Sequence, residues 1–305
     1  MADGVGVYFE DHKESRDLGR LALRGGAVSV AMQYGGGVLQ IAAAVVLARL
    51  LTPEDFGLVA IVTVLTSFAP MLIDLGLGDA TTQRSKITRS QVSSLFWLSS
   101  GSGLAIAVVV AACSPLIAWI YREPRLETIA LYSTVIFVLW GMSNQHVALL
   151  RRTMQFGRIA KIQILSALVG IAIAIFMASC GYSYWALVVR PIATSLCIAI
   201  GAWLVCPWRP GFPVFDNQVK SMVRFGLHVV GFSVMYSVAR AVDRIALGLF
   251  YRPDEVGYYQ NAITLYDNSI FSTLAQLHTV GSAALSKLQS NPVASGKNTK
   301  QHCLL

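Results

Sequence analysis

Charged residues are scarce in this sequence, and their scarcity narrows the class of protein. They make up 13% of the 305 residues, whereas hydrophobic residues make up 55%. A soluble domain usually carries about 25% charged residues. The mean hydropathy of +0.58 agrees with this contrast. The composition therefore excludes an ordinary soluble enzyme and predicts an all-α, polytopic membrane protein.

Stretches without any charge indicate where the chain can cross a bilayer. A helix needs about 20 mostly apolar residues to span roughly 30 Å of hydrocarbon. Uncharged runs cover 25–48, 56–73, 90–121, 128–150, 162–189, 191–208 and 225–239. They predict about eight transmembrane helices, placed at 25–48, 57–80, 95–120, 128–150, 160–180, 183–206, 219–250 and 257–281.

Motifs that would indicate other functions are absent. Residues 1–24 are polar, and no small-residue cleavage pattern follows the first apolar run, so we expect no cleaved signal. The five cysteines lack metal-ligand spacing, and we interpret the four in apolar runs as small packing residues. There is also no catalytic set of carboxylates and no large loop that could hold a sugar donor. We therefore expect neither an enzyme nor a cofactor or metal site.

Lysine and arginine are distributed unevenly along the chain, and this predicts its orientation. With the N-terminus in the cytoplasm, 17 of the 24 fall on the cytoplasmic side and four, Arg49, Arg122, Arg125 and Arg252, fall outside. Short loops rich in Lys and Arg stay inside. We predict a multi-pass inner-membrane protein with both ends cytoplasmic. The net charge of +8 then reflects this topology and contact with anionic membrane lipids, not nucleic acid.

One polar corner between two apolar runs occurs twice, 200 positions apart. Residues 47–58 and 247–258 share Leu, Pro and Gly at equivalent positions, and each has an acidic pair after the proline. Proline cannot continue the preceding helix, and carboxylates favour the first turn of the next one. A chance helical hairpin is one explanation, and an internal duplication is the other.

The duplication predicts a division of the chain into four parts. These are a cytoplasmic segment at 1–24, a first lobe of six helices at 25–208, the start of a second lobe with two helices at 209–289, and a polar tail at 290–305. Both copies of the corner then lie outside, so the repeat is parallel. The second lobe is expected to be incomplete in this chain, and the chain inactive as a monomer.

Charged residues at membrane depth are the candidate site residues. Each costs about 2.5–3.5 kcal/mol on insertion scales and must face protein or water. Structural ion pairs that fix helix packing are one interpretation, and a cationic surface for an anionic ligand is the other. The guanidinium fork of arginine suits phosphate. The candidates are Arg190 before Pro191 in the sixth helix, Arg240, Asp243 and Arg244 on one face of the seventh, Asp267 in the eighth, and Asp74 in the second.

Some neutral polar residues also stand out within the apolar runs. Asn144-Gln145-His146 close the fourth helix beside two arginines, and they indicate a helix end or a lipid-headgroup site. Gly35-Gly36-Gly37 lie within the first helix, flanked by Gln33 and Gln40. In hydrocarbon, such glycines permit close helix contact or bending. No Lys-Ser/Thr follows them, so they do not form a phosphate loop.

The residues Val46-Leu47-Ala48-Arg49-Leu50-Leu51-Thr52-Pro53-Glu54-Asp55-Phe56-Gly57 resemble the first outer corner of the bacterial O-antigen and exopolysaccharide flippases. Asp74-Leu75-Gly76-Leu77-Gly78, with the Thr-Thr-Gln that follows, is similar to the same group. These flippases belong to the multidrug, oligosaccharidyl-lipid and polysaccharide exporter superfamily. The resemblance covers residues 20–288 and is greatest for the colanic-acid type.

The resemblance implies two lobes of six or seven helices around a central cavity, alternating access, and a polyprenyl-diphosphate-linked oligosaccharide as cargo. It also implies that cationic cavity residues hold the diphosphate, for which Arg190, Arg240 and Arg244 are the matching positions. A polysaccharide polymerase is a further expected partner. The chain departs from the family in length, because members carry twelve to fourteen helices. A cation-coupled small-molecule exporter and a membrane enzyme of polysaccharide assembly stay open as alternatives.

Overall fold

The structure is a computed structural model that describes residues 35–66, 69–74, 76–83, 87–214 and 251–266, with a few single helical positions between 223 and 250. Every element within these residues is helical. The chain divides into two units at residue 260. All contacts reported below lie in the first unit, and the described part of the second is the helical stretch 261–266.

The helices run in order along the chain. They are α1 (Gly35–Leu50), α2 (Pro53–Thr66), α3 (Ala69–Asp74), α4 (Leu77–Gln83), α5 (Arg89–Tyr121), α6 (Arg125–Arg152), α7 (Phe156–Ser179), α8 (Trp185–Val205) and α9 (Pro253–Tyr266). By length and composition, α5 to α8 can each cross a membrane. This confirms the predicted all-α, polytopic membrane class. The predicted seventh helix at 219–250 lies almost wholly outside the described residues, so the total of eight spans stays a prediction.

The single second helix predicted at 57–80 is wrong. The structure has α2, α3 and α4 there, and α2 begins at Pro53. Between α3 and α4, Gly76 has a φ of +65°. A hydrogen bond spans this break, because Asp74 Oδ1 accepts from the backbone N–H of Gly78 at 2.9 Å. A side chain that pairs with the backbone in this way competes with continued helix.

Both copies of the repeated corner have the same local structure. In the first, the backbone N–H of Thr52 donates to Asp55 Oδ2 at 2.9 Å. In the second, the N–H of Arg252 donates to Glu255 Oε2 at 3.1 Å. Each bond satisfies an amide at the start of a helix that begins at proline and runs for 14 residues, α2 and α9. The two stretches are therefore equivalent in fold as well as in sequence.

The two corners also touch each other reciprocally. A Cβ placed on Gly57 would overlap the carbonyl oxygen of Pro253, and one placed on Gly257 would overlap the carbonyl oxygen of Pro53. Glycine is needed at both positions because the two backbones approach this closely. Val256 is buried beside the same contact, in a core with Leu58. We call this reciprocal pair of contacts, between residues 53–57 and 253–257, the corner contact.

Polar side chains fasten other connections to this end of the bundle. The hydroxyl of Ser183, in the turn between α7 and α8, donates to Asp55. Arg125, at the start of α6, pairs with Glu54 at 2.6 Å and with Glu123 at 2.7 Å. Its hydrogen bonds hold the pKa of the Glu123 carboxyl below the usual range. The connections after α1, α5 and α7 therefore lie at one end, which we call the corner end.

Small residues let α5 and α6 pack closely. A Cβ on Gly103 would lie 2.6 Å from the carbonyl oxygen of Phe137, and one on Gly141 would lie 2.6 Å from that of Ser99. Glycine and serine at such crossings are typical of helix packing in membranes. By contrast, a Cβ on any glycine of 35–37 would meet no described atom within 4 Å. The close helix contact predicted there is not observed among the described residues, and bending stays the open explanation.

The segment after α8 is bound to α5 at the end opposite the corners. The indole N–H of Trp97 donates to the carbonyl of Gly211 at 2.9 Å, and the backbone N–H of Val214 donates to Ser94 Oγ at 2.7 Å. Trp208 is fully buried nearby in a core with Phe96. The side chain of His146 stacks on Trp203 and is fully buried too. His146 thus belongs to the packing of this end.

Candidate functional site

Arg190 lies inside α8 and is paired with a neutral side chain. Its guanidinium donates to the side-chain oxygen of Gln40 in α1, which is 150 positions away in sequence. It makes no ion pair with any described residue. Pro191, directly after it, cannot donate to the carbonyl of Leu187, yet α8 continues through it. The positive charge is therefore held at membrane depth without a carboxylate among the residues that the structure describes.

A cleft of about 530 Å³ lies between α1, α7, α8 and the end of α6. It extends over about 17 Å of α7 by helical rise, from Phe156 to Ala167. Thr194 lines it and donates to the backbone carbonyl of Arg190 at 2.9 Å, so Arg190 lies one helical turn beyond the lining. The lining residues are Gly36, Leu39, Gln40, Arg151, Phe156, Ile159, Ala160, Gln163, Ile164, Ala167 and Thr194.

The cleft has an apolar wall interrupted by a few polar groups. Arg151 and Gln163 are exposed, and Gln40 is half-buried. Arg151 makes no ion pair within the described residues, and Gln163 has no hydrogen-bond partner there. No carboxylate is among the lining residues. The arrangement can therefore offer hydrogen bonds and positive charge to a ligand.

Asp74 belongs to a different polar cluster. Its Oδ1 accepts from Asn144 Nδ2 at 2.6 Å as well as from the backbone of Gly78. Gln145 accepts a hydrogen bond of 2.9 Å from the hydroxyl of Thr81. These bonds tie α3 and α4 to α6. Among the described residues, Asp74 therefore has an amide and a backbone N–H as partners rather than a cation, and it is not brought together with Arg190. Its role as an ion-pair or coupling residue stays a prediction.

The other sequence candidates lie outside the described residues. They are Arg240, Asp243 and Arg244 of the predicted seventh helix and Asp267 of the predicted eighth. Their roles stay predictions. Sequence reasoning did not select Gln40 or Gln163 as site residues, and it interpreted Asn144, beside Arg151, as part of a helix end or a lipid-headgroup site. A signal for Gln40 and Gln163 was present, because each is an amide inside an uncharged run, where an unsatisfied polar group is costly.

Together these features define an integral membrane protein with a polar cleft and a cation at membrane depth. Residues 46–303 match the family of polysaccharide biosynthesis proteins. Because the match covers most of the chain, this protein belongs to that family.

Relatives from three bacteria agree with the family. The chain is 29% identical to the teichuronic acid biosynthesis protein TuaB of Bacillus subtilis, over 65% of this chain and 41% of that protein. It is 26% identical to the lipopolysaccharide biosynthesis protein WzxC of Escherichia coli, over 68% and 42%. It is 23% identical to the succinoglycan biosynthesis transport protein ExoT of Rhizobium meliloti, over 71% and 44%. No solved structure matches the chain.

These matches cover less than half of each relative's length. The chain spans 41% to 44% of the length of these three relatives. The match begins at residue 46, so it includes both copies of the corner and the helices that line most of the cleft.

Proposed function

We propose that this protein takes part in moving a polyprenyl-diphosphate-linked oligosaccharide across the bacterial inner membrane for the assembly of a surface polysaccharide. No covalent bond of the cargo changes in this step. Support comes from the family and from the names of the relatives, each of which is assigned to the biosynthesis of a polymer, one of them as a transport protein. The lining of the cleft, which lacks carboxylates, is consistent with transport rather than catalysis.

The observation that carries the proposal is the cation at Arg190. Keeping a charge at membrane depth costs about 2.5–3.5 kcal/mol even on the mildest scales. Gln40 accepts one hydrogen bond from the guanidinium but does not neutralise its charge. A diphosphate would supply the missing countercharge, and the guanidinium fork can bind phosphate oxygens in pairs. In this proposal, Arg240 and Arg244 add to the same cationic surface, and Asp243 and Asp267 act as ion-pair or coupling residues. Asp74, whose described partners are an amide and a backbone N–H, acts as a coupling residue.

The orientation belongs to the same proposal. The 17-to-4 distribution of Lys and Arg favours a cytoplasmic N-terminus and places the corner end outside. The cleft would then face the leaflet in which the cargo is assembled. A polysaccharide polymerase outside would receive the transported unit.

The test compares export by a strain lacking the gene after complementation with wild type, Arg190→Lys or Arg190→Gln. We expect Arg190→Gln to lower export about tenfold or more, since hydrogen bonds to charged groups contribute about 1.5–3 kcal/mol each. Arg190→Lys should restore it only in part, because lysine offers no planar fork. Lipid-linked repeat units should accumulate on the cytoplasmic face. Arg158→Gln is the matched control, because Arg158 is exposed and bonds only to Gln155 among described residues.

The level of each variant in the membrane separates transport from folding. A structural role of Arg190 would appear as a lower membrane level of Arg190→Gln. Normal export by Arg190→Gln at a normal membrane level would refute the proposal. Cation-coupled efflux of small molecules by the purified protein would favour the exporter alternative, and product formation would favour the enzyme.

A further inference from the structure

The cleft of about 530 Å³ between α1, α7 and α8 contains more polar groups than binding a diphosphate at Arg190 requires. Gln40 and Gln163 offer amide groups within a membrane helix, although neither is needed to cap a helix or to bind the backbone. The side-chain oxygen of Gln40 accepts from Arg190, which leaves its amide N–H groups available among described residues. The amide N–H groups of Gln40 and the whole amide of Gln163 lie in an otherwise apolar wall, where polar groups are costly unless a polar ligand or water meets them.

The chemistry of the lining fits a saccharide. Amide side chains both donate and accept, as sugar hydroxyls do. Phe156 adds an aromatic ring, and Ile159 and Ala160 add an apolar floor for the CH faces of sugar rings. Arg151 is in the last turn of α6, next to the 153–155 connection that leads into α7. It therefore lies beside the Phe156 end of the cleft, and Ala167 lies at the other end. The polar groups thus follow one another from Arg190 past Gln40 and Gln163 to Arg151.

We propose that this cleft is the saccharide subsite of the transporter, in which Gln40 and Gln163 bind hydroxyls of the sugars nearest the diphosphate. The assignment rests on the proposed function, since the diphosphate is taken to be at Arg190. Arg151 lies where the sugar chain leaves the cleft, so it favours neutral or anionic sugars there. The subsite therefore recognises the saccharide and contributes nothing to binding of the lipid tail.

The experiment measures binding of two probes to the purified protein in lipid nanodiscs. One probe is the lipid-linked repeat unit isolated from a strain lacking the gene, and the other is polyprenyl diphosphate without sugar. The variant is Gln163→Leu, which puts a good membrane residue at an exposed position of α7 and so preserves the fold. We expect it to weaken binding of the sugar-bearing probe about 2- to 12-fold, the range for one lost hydrogen bond. Binding of the sugar-free probe should not change.

Two further variants and one competitor control this result. Gln163→Asn keeps an amide, so it should retain more of the preference for the sugar-bearing probe than Gln163→Leu does. Arg158→Gln removes a cation near the same end of α7 outside the lining, and it should leave both affinities at the wild-type value. Nanodiscs with added anionic phospholipid should leave the difference between the probes unchanged.

The possible failures are distinguishable. Wild type that binds neither probe would overturn the proposed function together with the subsite. Wild type that binds both, with a preference for sugar that Gln163→Leu leaves intact, would overturn the subsite alone. Equal weakening of both probes by Gln163→Leu would overturn it as well, because the cleft would then bind the lipid diphosphate. Loss of the difference in anionic nanodiscs would assign the cleft to phospholipid headgroups.

Discussion

Replacing either glycine of the corner contact should separate the two corners. In Gly57→Ala, the new Cβ would lie 2.5 Å from the carbonyl carbon of Pro253 and 3.0 Å from its Cα. Carbon atoms pack best at about 3.5–4.0 Å. The backbones must therefore move apart by about 1 Å or more, and no flexible side chain can relieve the clash, because the atoms in the way are backbone.

The expected cost follows from two opposing effects. Alanine is better than glycine in a helix by about 1 kcal/mol. Overpacking a tight contact costs about 1–3 kcal/mol, and a clash with backbone belongs at the upper end. The net loss is then about 2 kcal/mol, which corresponds to about 30-fold more frequent opening of the contact. Hydrogen–deuterium exchange at 53–60 and 253–260 should accelerate by such a factor in either single variant.

The reciprocity of the contact predicts how the variants combine. Gly57→Ala and Gly257→Ala act on one interface, so the second should add little once the first has opened it. The matched control is Gly101→Ala in α5, where a Cβ would meet nothing within 4 Å. That variant should leave exchange at the corners unchanged. If Gly57→Ala and Gly257→Ala both behave like Gly101→Ala, or if their effects simply add, the corners do not share a reciprocal contact.

Two other predictions follow from described contacts. Asp74→Ala should destabilise the protein by about 1.5–3 kcal/mol, because it removes the acceptor of Asn144 and of the Gly78 N–H. Asp74→Asn keeps an acceptor and should lose less stability. Equal melting temperatures for the two variants would contradict this prediction. Cys180 is exposed beside the turn at Gly181, so, kept as the sole cysteine, it should react with a membrane-impermeant maleimide in intact cells. Labelling only after lysis would contradict the proposed orientation.

The corners and most helices could be predicted from residues that are close together in the sequence. Pro53 and Pro253 begin helices in the structure, four residues before the predicted starts at 57 and 257, and the acidic pairs lie in the first turn as predicted. The short connection between the helices predicted at 160–180 and 183–206 is present, with positive φ at Gly181 and Ser183. The uncharged runs located α5 to α8 within several residues of their bounds. Proline, acidic caps and apolar length act over a few residues, so one sequence suffices to recognise them.

The break at Gly76 was not predictable in the same way. The run 56–73 is uncharged, and the structure's break comes just past it without a proline. What ends α3 there is the positive φ of Gly76 together with the bond from Gly78 to Asp74. Glycine alone is a weak signal, since it is tolerated within membrane helices.

The candidate site was predictable only in part, because its contacts are not local. Arg190 became a candidate site residue because it is a charged residue within an apolar helix. Its partner Gln40 lies 150 positions away, and hydropathy cannot reveal which faces of α1 and α8 meet. The cleft is likewise a product of how α1, α6, α7 and α8 pack. The sequence can identify single residues that are costly to place in a membrane, such as Arg190. Identifying the partner that offsets this free energy requires the folded structure.

The corner contact has the geometry that an internal duplication would produce. In a self-complementary contact, the same surface serves both partners, so residue i touches j while j touches i. Pro53 meets Gly257 and Pro253 meets Gly57 in this manner. A corner that presents a proline carbonyl and a glycine backbone can therefore bind a second copy of the same corner. One sequence supplies both sides of the contact. The identity of both residues in both copies follows. The acidic pair can exchange order because the carboxylate that caps each helix is at its third position, and either aspartate or glutamate serves there, as Asp55 and Glu255 do. Any motion that opens this end must break both halves of the contact together, since each half holds the other in register.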